Sequence, residues 1–287
     1  MRLILSRKGY DSSSGGCPSP IFPGGKLCSL PIPSEDDLTL QDIRLQGISL
    51  GAVVAQLVGE PGRATSGAHL DPDLAAAART RLPGWQPCFG QTGSAQAHLE
   101  KQGVGVGHLF LFFGWFREVE AFEGRWRYGR TAPDIHCLFG WLQIGSTYRL
   151  DRGDDPPAWS RAYPHVQHAD RYRSSRSSNV LYVASKLLDV PGCAGELPGA
   201  GVFPCYSPDL RLTAPGRSRS VWQLPACFEP RPGAPSLSFH GSAKRWSREG
   251  DRVLLRSAGR GQEFVLDCDH YPGVFDWLAE VFSAEFR

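Results

Sequence analysis

Long hydrophobic runs are missing from this sequence of 287 residues. The longest apolar runs, such as HLFLFFGWF (His108–Phe116), are far shorter than the roughly 18–20 residues that a membrane-spanning helix needs. The apolar stretch near the N-terminus is also shorter than the roughly 7–15 residues at the centre of a signal peptide. We therefore expect a cytoplasmic protein without a membrane partner.

The sequence also lacks the short motifs that identify several large classes of enzyme. The eight cysteines are dispersed and include no C-x-x-C pair, which argues against zinc fingers and ribbons. There is no P-loop and no G-x-G-x-x-G or G-x-S-x-G motif. The glycines of GVGVGHLF (Gly103–Phe110) lead into a predicted strand rather than a helix, so they do not predict a phosphate loop. The net charge of +2 neither indicates nor excludes nucleic acid as a partner.

What the sequence does contain is typical of a folded globular chain. Hydrophobic residues make up 41% and charged residues 21%, and the length is sufficient to bury a full core. No repeat and no low-complexity linker divides the chain. We predict a single domain over residues 1–287.

The order of the predicted elements indicates an α+β fold, with a mixed, largely antiparallel sheet and flanking helices. Helices are predicted within 38–59, over 71–84 and 93–103, and at the C-terminus in GVFDWLAEVFSAEF. Strands are predicted around 3–5, 108–118, 135–145, 179–185, 237–240, 252–257 and 263–267. The stretch from Leu150 to Asn179 has no clear periodicity, and long connections of this kind are usually functional or disordered.

Two of the predicted strands suggest a second idea about function. GVGHLFLFFGWF and IHCLFGWLQIGSTY are similar to the strand pair of PUA-like barrels, which bind RNA or modified bases in a pocket. Such a pair would make the protein a base-binding module. The alternative is that these apolar strands simply form the core.

Histidines and carboxylates occur together in three places. In AHLDPD, His69 and Asp71 form an H-x-D pair followed by Asp73, a combination that suits iron, zinc or manganese. The alternative is that Asp71 caps the predicted helix and Asp73 stabilises its first turn. Because metal sites draw ligands from distant parts of a chain, each group must be judged together with the other two.

The second group is GQTGSAQAHL, which contains Gln91 and His98, and the third is YPHVQHAD, which contains His165 and His168. An H-x-x-H pair in a turn can bind one metal ion. For His98 the alternative is a core histidine, and for the third group it is a solvated loop. None of the three groups has a fixed-spacing signature such as H-E-x-x-H.

A charged loop follows the first predicted strand, and this loop brings a family resemblance into view. LILSRKGYDSSSGGCPSPIFPGGKLCSLPIP, together with HLDPDL, FGQTGSAQAHL and LFLFFGWFR, resembles the nucleotide modification associated domain 3 family. The likeness extends over essentially the whole chain. It implies a protein encoded in phages and bacteria that takes part in hypermodification of DNA bases.

The resemblance also implies which residues form the site. Those matching the family's motifs or their surroundings give a metal-ligand set of Asp11, His69, Asp71, His98 and His165. Arg7, Lys8, Ser12 and Gln91 would bind the substrate, with Arg7 or Lys8 neutralising a phosphate. Iron is the expected metal, because nitrogen and oxygen ligands suit Fe(II) and base modification commonly requires oxidation of an unactivated carbon.

The sequence therefore predicts a nonheme iron enzyme acting on a nucleotide or on DNA. Two alternatives stay open. One is a module that binds modified bases without catalysis, and the other is a zinc- or manganese-dependent nucleotide hydrolase or transferase. The identity of the metal would separate the last alternative from the oxidative one.

Overall fold

The structure, a computed structural model, describes residues 1–193 and 196–284. Within them the chain forms sixteen strands and five α-helices. The strands are β1 (Arg2–Arg7), β2 (Ser19–Ile21), β3 (Ile32–Pro33), β4 (Arg44–Leu45), β5 (Ile48–Ser49), β6 (Ala68–His69), β7 (Cys88–Thr92), β8 (Leu109–Phe122), β9 (Arg125–Tyr128), β10 (Ile135–Arg149), β11 (Asn179–Ala184), β12 (Ala200–Val202), β13 (Val221–Pro225), β14 (Trp246–Glu249), β15 (Arg252–Arg256) and β16 (Glu263–Asp267). The helices are α1 (Leu50–Val58), α2 (Gly93–Lys101), α3 (Pro164–Gln167), α4 (Ala169–Ser174) and α5 (Val274–Ala284).

Nine of the strands form one mixed sheet, whose main order is β16-β1-β8-β10-β11-β7. Strand β12 pairs with β10, while β2 and β9 pair with β8. The pairs β1·β8 and β2·β8 are parallel and the other pairs of this sheet are antiparallel. The expectation of an α+β fold with a mixed, largely antiparallel sheet is thus confirmed.

The two long strands β8 and β10 form the centre of this sheet. Their apolar runs are buried on both faces, including Leu109–Phe113 and Ile135–Leu138. Fully burying one such Leu or Phe side chain contributes about 1.5–3 kcal/mol, which explains why the strongest apolar runs of the sequence occupy the middle of the fold. The likeness of this pair to PUA-like barrels stays a prediction.

Smaller sheets lie beside the main one. Strands β13, β15 and β14 form an antiparallel sheet, and β3·β6 and β4·β5 are two-stranded pairs. Helix α5 closes the main core with Leu278 and Phe282, and helix α1 packs in a second apolar cluster with Leu50 and Val54. Strand β6, which carries His69, is therefore attached to the second cluster rather than to the main sheet.

Most of the predicted elements are confirmed. The strands predicted at 3–5, 108–118, 135–145, 179–185, 252–257 and 263–267 correspond to β1, β8, β10, β11, β15 and β16, and the helices predicted within 38–59 and over 93–103 to α1 and α2. The C-terminal helix is present as α5, and its predicted last two residues lie outside the described residues.

Two predicted elements are wrong. Residues 71–84 contain only a short 3-10 turn at Ala76–Ala78, because the Asp71 side chain binds Gly90 and Tyr163 and the backbone of Asp73 pairs with Cys88. Residues 237–240 form a turn in which the N–H of His240 donates to the carbonyl of Leu237, and Phe239 has a φ of 66°.

The segment from Leu150 to Asn179 is built from short helical turns, among them α3 and α4. It packs on β11 through a small cluster that includes Leu150 and Tyr163. Among the described residues, no helix combines the length and the apolarity needed to cross a bilayer. The segment thus brings the third histidine group, Tyr163–His168, against the edge of the main sheet.

Candidate metal centre

Three side chains from distant parts of the chain converge at the edge of the main sheet. They are His69 at the end of β6, Asp71 just after it, and His165 in α3. Their nearest ligand atoms all lie within 4.8 Å of one another. The two Nε2 atoms are 3.2 Å apart, and Oδ2 of Asp71 lies 3.9 Å from Nε2 of His69 and 3.6 Å from Nε2 of His165.

The orientation of His69 is fixed by Asp36, in the loop after β3. Nδ1 of His69 lies 2.8 Å from Oδ2 of Asp36, which can only accept, so Nδ1 carries the hydrogen. The exposed His168 lies on the other oxygen of the same carboxylate, at 3.2 Å. A carboxylate behind a histidine is the usual arrangement around a metal-binding imidazole, because it fixes the tautomer and raises the basicity of the opposite nitrogen.

The orientation of His165 is fixed in the same way by Asn179, the first residue of β11. The amide nitrogen of Asn179 donates to the carbonyl of His165 at 2.8 Å, so its Oδ1 accepts from Nδ1 of the imidazole at 3.0 Å. Both bonds are buried. Nε2 of His165 is thus also left with a free lone pair facing the other two groups.

Asp71 uses one carboxylate oxygen for structure and presents the other to the histidines. Its Oδ1 accepts from the backbone N–H of Gly90 at 2.9 Å and from the hydroxyl of Tyr163. Burial first, and then the charge of Asp71, hold the pKa of Tyr163 well above its usual value, so the phenol remains a donor. The Oδ2 atom of Asp71 is the one directed towards both Nε2 atoms.

Gly90 in β7 allows His165 to approach the sheet. A Cβ atom at this position would lie 2.2 Å from the imidazole ring, a distance that real side chains do not tolerate. The ring of His165 also stacks on those of Tyr163 and Tyr172. The sheet edge is therefore shaped to hold this imidazole in one position.

Lone pairs directed at one another repel, and a cation between them would relieve that repulsion. Metal–nitrogen and metal–oxygen bonds of about 2.0–2.2 Å place neighbouring ligand atoms roughly 3–3.5 Å apart, and the observed 3.2–3.9 Å is close to that spacing. Two imidazoles and one carboxylate are the donor set of the facial triad that binds nonheme iron and leaves positions open. The residues present thus fit a metal ion.

The charges of these groups shift one another's pKa values. Burial opposes protonation of His69, but the hydrogen bond to Asp36 and the charge of Asp71 outweigh it and raise its pKa. Burial alone would raise the pKa of Asp71, yet the two histidines lower it. The hydrogen bond from His69 likewise holds the pKa of Asp36 well below its usual range. The carboxylates are therefore charged and electron-rich.

The three groups open into a cavity of about 420 Å³, which we call the metal cavity. Lys8 and Gln91 line it and meet at the buried carboxylate of Glu263, in β16. Both donate to its Oε1, at 2.9 Å from Nζ of Lys8 and 2.5 Å from Nε2 of Gln91. Lys8 also lies over the ring of Phe89. Its ammonium group is fixed at the wall of the cavity rather than free in solvent.

Of the five predicted metal ligands, the structure brings His69, Asp71 and His165 together. Asp11 lines the metal cavity, but its Oδ1 accepts three hydrogen bonds from its own loop, two from Ser13 and one from the N–H of Ser14. His98 lies elsewhere: its Nε2 contacts the hydroxyl of Ser238 and its ring packs on Phe239.

The predicted substrate-binding residues divide between two neighbouring cavities. Arg7, Lys8 and Gln91 line the metal cavity. Ser12 lines an adjacent cavity of about 260 Å³, where its hydroxyl accepts from Arg219 at 3.0 Å. Arg7 lines both and donates to the carbonyls of Ala258 and Gly259. We call the second space the arginine cavity.

Sequence reasoning missed the residues that hold the ligands in place. Asp36, Asn179 and Tyr163 carry no signal in the sequence, because each acts through a contact formed only in the fold. The H-x-x-H spacing pairs His168 with His165, yet His168 contacts Asp36 instead of the three convergent groups. The one available signal is H-x-D in His69-Leu70-Asp71, where both flanking side chains belong to the convergent group.

Comparison with known proteins gives one match. The family model for nucleotide modification associated domain 3 matches residues 2–267, so it spans every residue of the site. No curated protein and no solved structure matches the chain.

Proposed function

Since the chain belongs to the nucleotide modification associated domain 3 family, we propose that it is a metal-dependent enzyme that modifies a nucleotide or a base of DNA. We propose further that the metal is iron and the reaction oxidative. His69, Asp71 and His165 hold the ion. Iron held by two imidazoles and one carboxylate supplies the activation of dioxygen that oxidation of an unactivated carbon requires.

The observation that carries this proposal is the convergence of three lone pairs whose tautomers are fixed from behind. Asp36 and Asn179 each take the Nδ1 hydrogen of one histidine. Core histidines with no ligand to bind do not need both Nε2 atoms aimed at one carboxylate oxygen. The donor set contains no thiolate among the described residues, which favours iron or another nitrogen- and oxygen-binding metal.

The remaining residues of the cavity orient the substrate. The ammonium of Lys8 is paired with Glu263 but lines the cavity, where it can also meet an anionic or carbonyl group of a nucleotide. The neighbouring Gln91 keeps Glu263 in place from the other side. Tyr163 and Gly90 keep Asp71 from turning away from the histidines. These contacts give a pre-organised site, which reduces the cost of assembling the reactive geometry.

The proposal is tested by preparing the protein without oxygen, reconstituting it with Fe(II), Zn²⁺ or Mn²⁺, and measuring the bound metal. We expect about one equivalent of iron. We also expect oxygen consumption when deoxynucleotides or DNA are added to the iron form. A His69→Ala variant should lose both, whereas Gln167→Ala, at an exposed position of α3, serves as a control.

The other outcomes decide between the alternatives. Stoichiometric zinc or manganese with hydrolysis of nucleotides and no oxygen consumption would replace the oxidative reaction with a hydrolytic one. Failure to bind any of the three metals would overturn the metal centre and leave a base-binding module as the better account.

A further inference from the structure

The arginine cavity contains two cations that have no ion-pair partner. Arg7 and Arg219 both line it, and no carboxylate lies within salt-bridge distance of either among residues 1–193 and 196–284. Burial lowers the pKa of Arg7, and the nearby charge of Arg219 lowers it further. The charge of Asp11 acts in the opposite direction, but the net effect is a lowered pKa. Two partly buried like charges on one cavity are unfavourable unless an anion joins them.

The carboxylates near these arginines do not take the place of that anion. Asp11 influences both cations and Asp134 influences Arg219. However, Asp11 directs its Oδ1 to Ser13 and Ser14. Arg219 is held by stacking on Trp115, with 4.1 Å from its guanidinium carbon to the ring centre, and by its bond to Ser12. Its remaining N–H groups stay available.

Two further donors line the same cavity without a partner. The indole nitrogen Nε1 of Trp115 is buried and makes no hydrogen bond. His136 is 7% exposed, and its Nδ1 accepts from the indole of Trp222 at 2.9 Å, which places the hydrogen on Nε2. In the part of the chain that the structure describes, this Nε2 has no partner. Buried donors are nearly always satisfied, so the indole N–H of Trp115 calls for an acceptor.

The charge state of His136 agrees with a donor role. Burial, followed by the charges of Arg7 and Arg219, holds its pKa well below its usual value. The ring is therefore neutral with one N–H, and the cavity offers cations and N–H or hydroxyl donors. The lining residues that carry them are Arg7, Ser12, Trp115, His136, Arg219 and Ser257.

We propose that the arginine cavity binds the phosphate group of the nucleotide whose base enters the metal cavity. Guanidinium groups bind phosphate oxygens through paired hydrogen bonds, and a phosphate has acceptors enough for the free donors of Trp115 and His136 as well. The two cavities are neighbours, because Arg7, Asp11 and Ser13 line both. The link to a base rests on the proposed function, whereas the binding of phosphate does not.

The experiment is a calorimetric titration of the metal-free full-length protein at low salt. The probes are inorganic phosphate, a deoxynucleoside 5′-monophosphate, the matching deoxynucleoside, and a short single-stranded oligodeoxynucleotide. We expect the monophosphate to bind and the deoxynucleoside to bind at least about tenfold more weakly, a difference of about 1.4 kcal/mol. Tighter binding of the oligonucleotide would assign the phosphate to DNA, and tighter binding of the monophosphate to a free nucleotide.

Variants connect the binding to the cavity. Arg219→Gln should weaken the monophosphate at least about tenfold, while Arg217→Gln, an exposed arginine of the same loop, should bind as the wild type does. Thermal unfolding of both variants checks that each is folded. Equal binding by Arg219→Gln and the wild type, or no binding of any phosphate-containing probe, would overturn the subsite.

Metal uptake by the wild type separates this inference from the proposed function, because the phosphate titration uses the metal-free protein. If phosphate binds normally but the wild type takes up no metal, the metal centre fails and the subsite stands. If metal binds but phosphate does not, the subsite fails alone.

Discussion

Histidines at two places in this molecule are buried or half-buried but differ in what their second nitrogen meets. His240, beside the ring of Phe264, donates from Nδ1 to the carbonyl of Ser238 and accepts at Nε2 from the N–H of Ala258. His69 and His165 also use Nδ1 for a structural bond, but their Nε2 atoms face each other and Asp71. Burial alone therefore does not distinguish a core histidine from a ligand.

The difference teaches that the partner of the second nitrogen decides the role. At His240 both nitrogens are satisfied by the backbone, so a neutral ring is complete. At His69 and His165 each Nε2 instead faces the other Nε2 and the carboxylate of Asp71. A buried acceptor without a donor costs about 1–3 kcal/mol, so such an arrangement persists where a ligand compensates it.

The largest effect is expected from removing a ligand. His165→Ala should abolish metal binding at stoichiometric concentrations, because two donor atoms remain of the three. His98→Ala should retain the metal, since that side chain contacts Ser238 instead of the ligand atoms. Elemental analysis of both variants after reconstitution with iron is the measurement. Loss of metal in His98→Ala would show that the ligand set is larger than the three convergent groups.

The next effect concerns the core histidine and pH. Burial lowers the pKa of His240 to about 4, from 6.5 in an unfolded chain. The unfolded state therefore binds the proton first, so this contribution to stability is complete above about pH 6.5 and is lost as the pH falls to about 4. The shift corresponds to a loss on the order of 3 kcal/mol.

Chemical denaturation of the wild type and His240→Gln between pH 7 and 4 measures this contribution. Glutamine keeps a donor and an acceptor but does not titrate. The wild type's advantage in the free energy of unfolding should shrink as the pH falls. Parallel curves for the two proteins would mean that His240 is not held neutral.

The smallest effect is expected from changing the residues that orient the proposed metal ligands without binding the metal themselves. Asp36→Asn keeps an acceptor for His69 but removes its charge, so we expect metal affinity to fall about 10–100-fold, as for other outer partners of metal-binding histidines. The exposed Asp37 supplies the matched control, Asp37→Asn. His168→Ala should change affinity by less than about 1 kcal/mol, since its contact with Asp36 is largely exposed. A metal-binding isotherm for each variant ranks the three.

The sequence was informative where local pattern and tertiary environment agree. The apolar runs of β8 and β10 and the glycine-ended helix α2 were predicted because periodicity and end signals are local properties. Prediction failed at residues 71–84, where Asp71 and Pro72 have the pattern of a helix start. There Asp71 binds Gly90 and Tyr163, and Asp73 binds Arg81, so tertiary contacts override the local preference.

The same distinction applies to the site. H-x-D pointed to His69 and Asp71, and the family's motifs pointed to the opening loop, because residue types and short spacings are written in the sequence. The approach of His165 rather than His98 to His69 and Asp71, and the supports from Asp36 and Asn179, depend on how β7, β11 and α3 meet. Side chains 33 and 96 positions apart come together only when burial of the apolar strands fixes the path of the chain. The sequence by itself thus determined most of the long elements and the candidate residue types, and only the tertiary structure decided which side chains share one site.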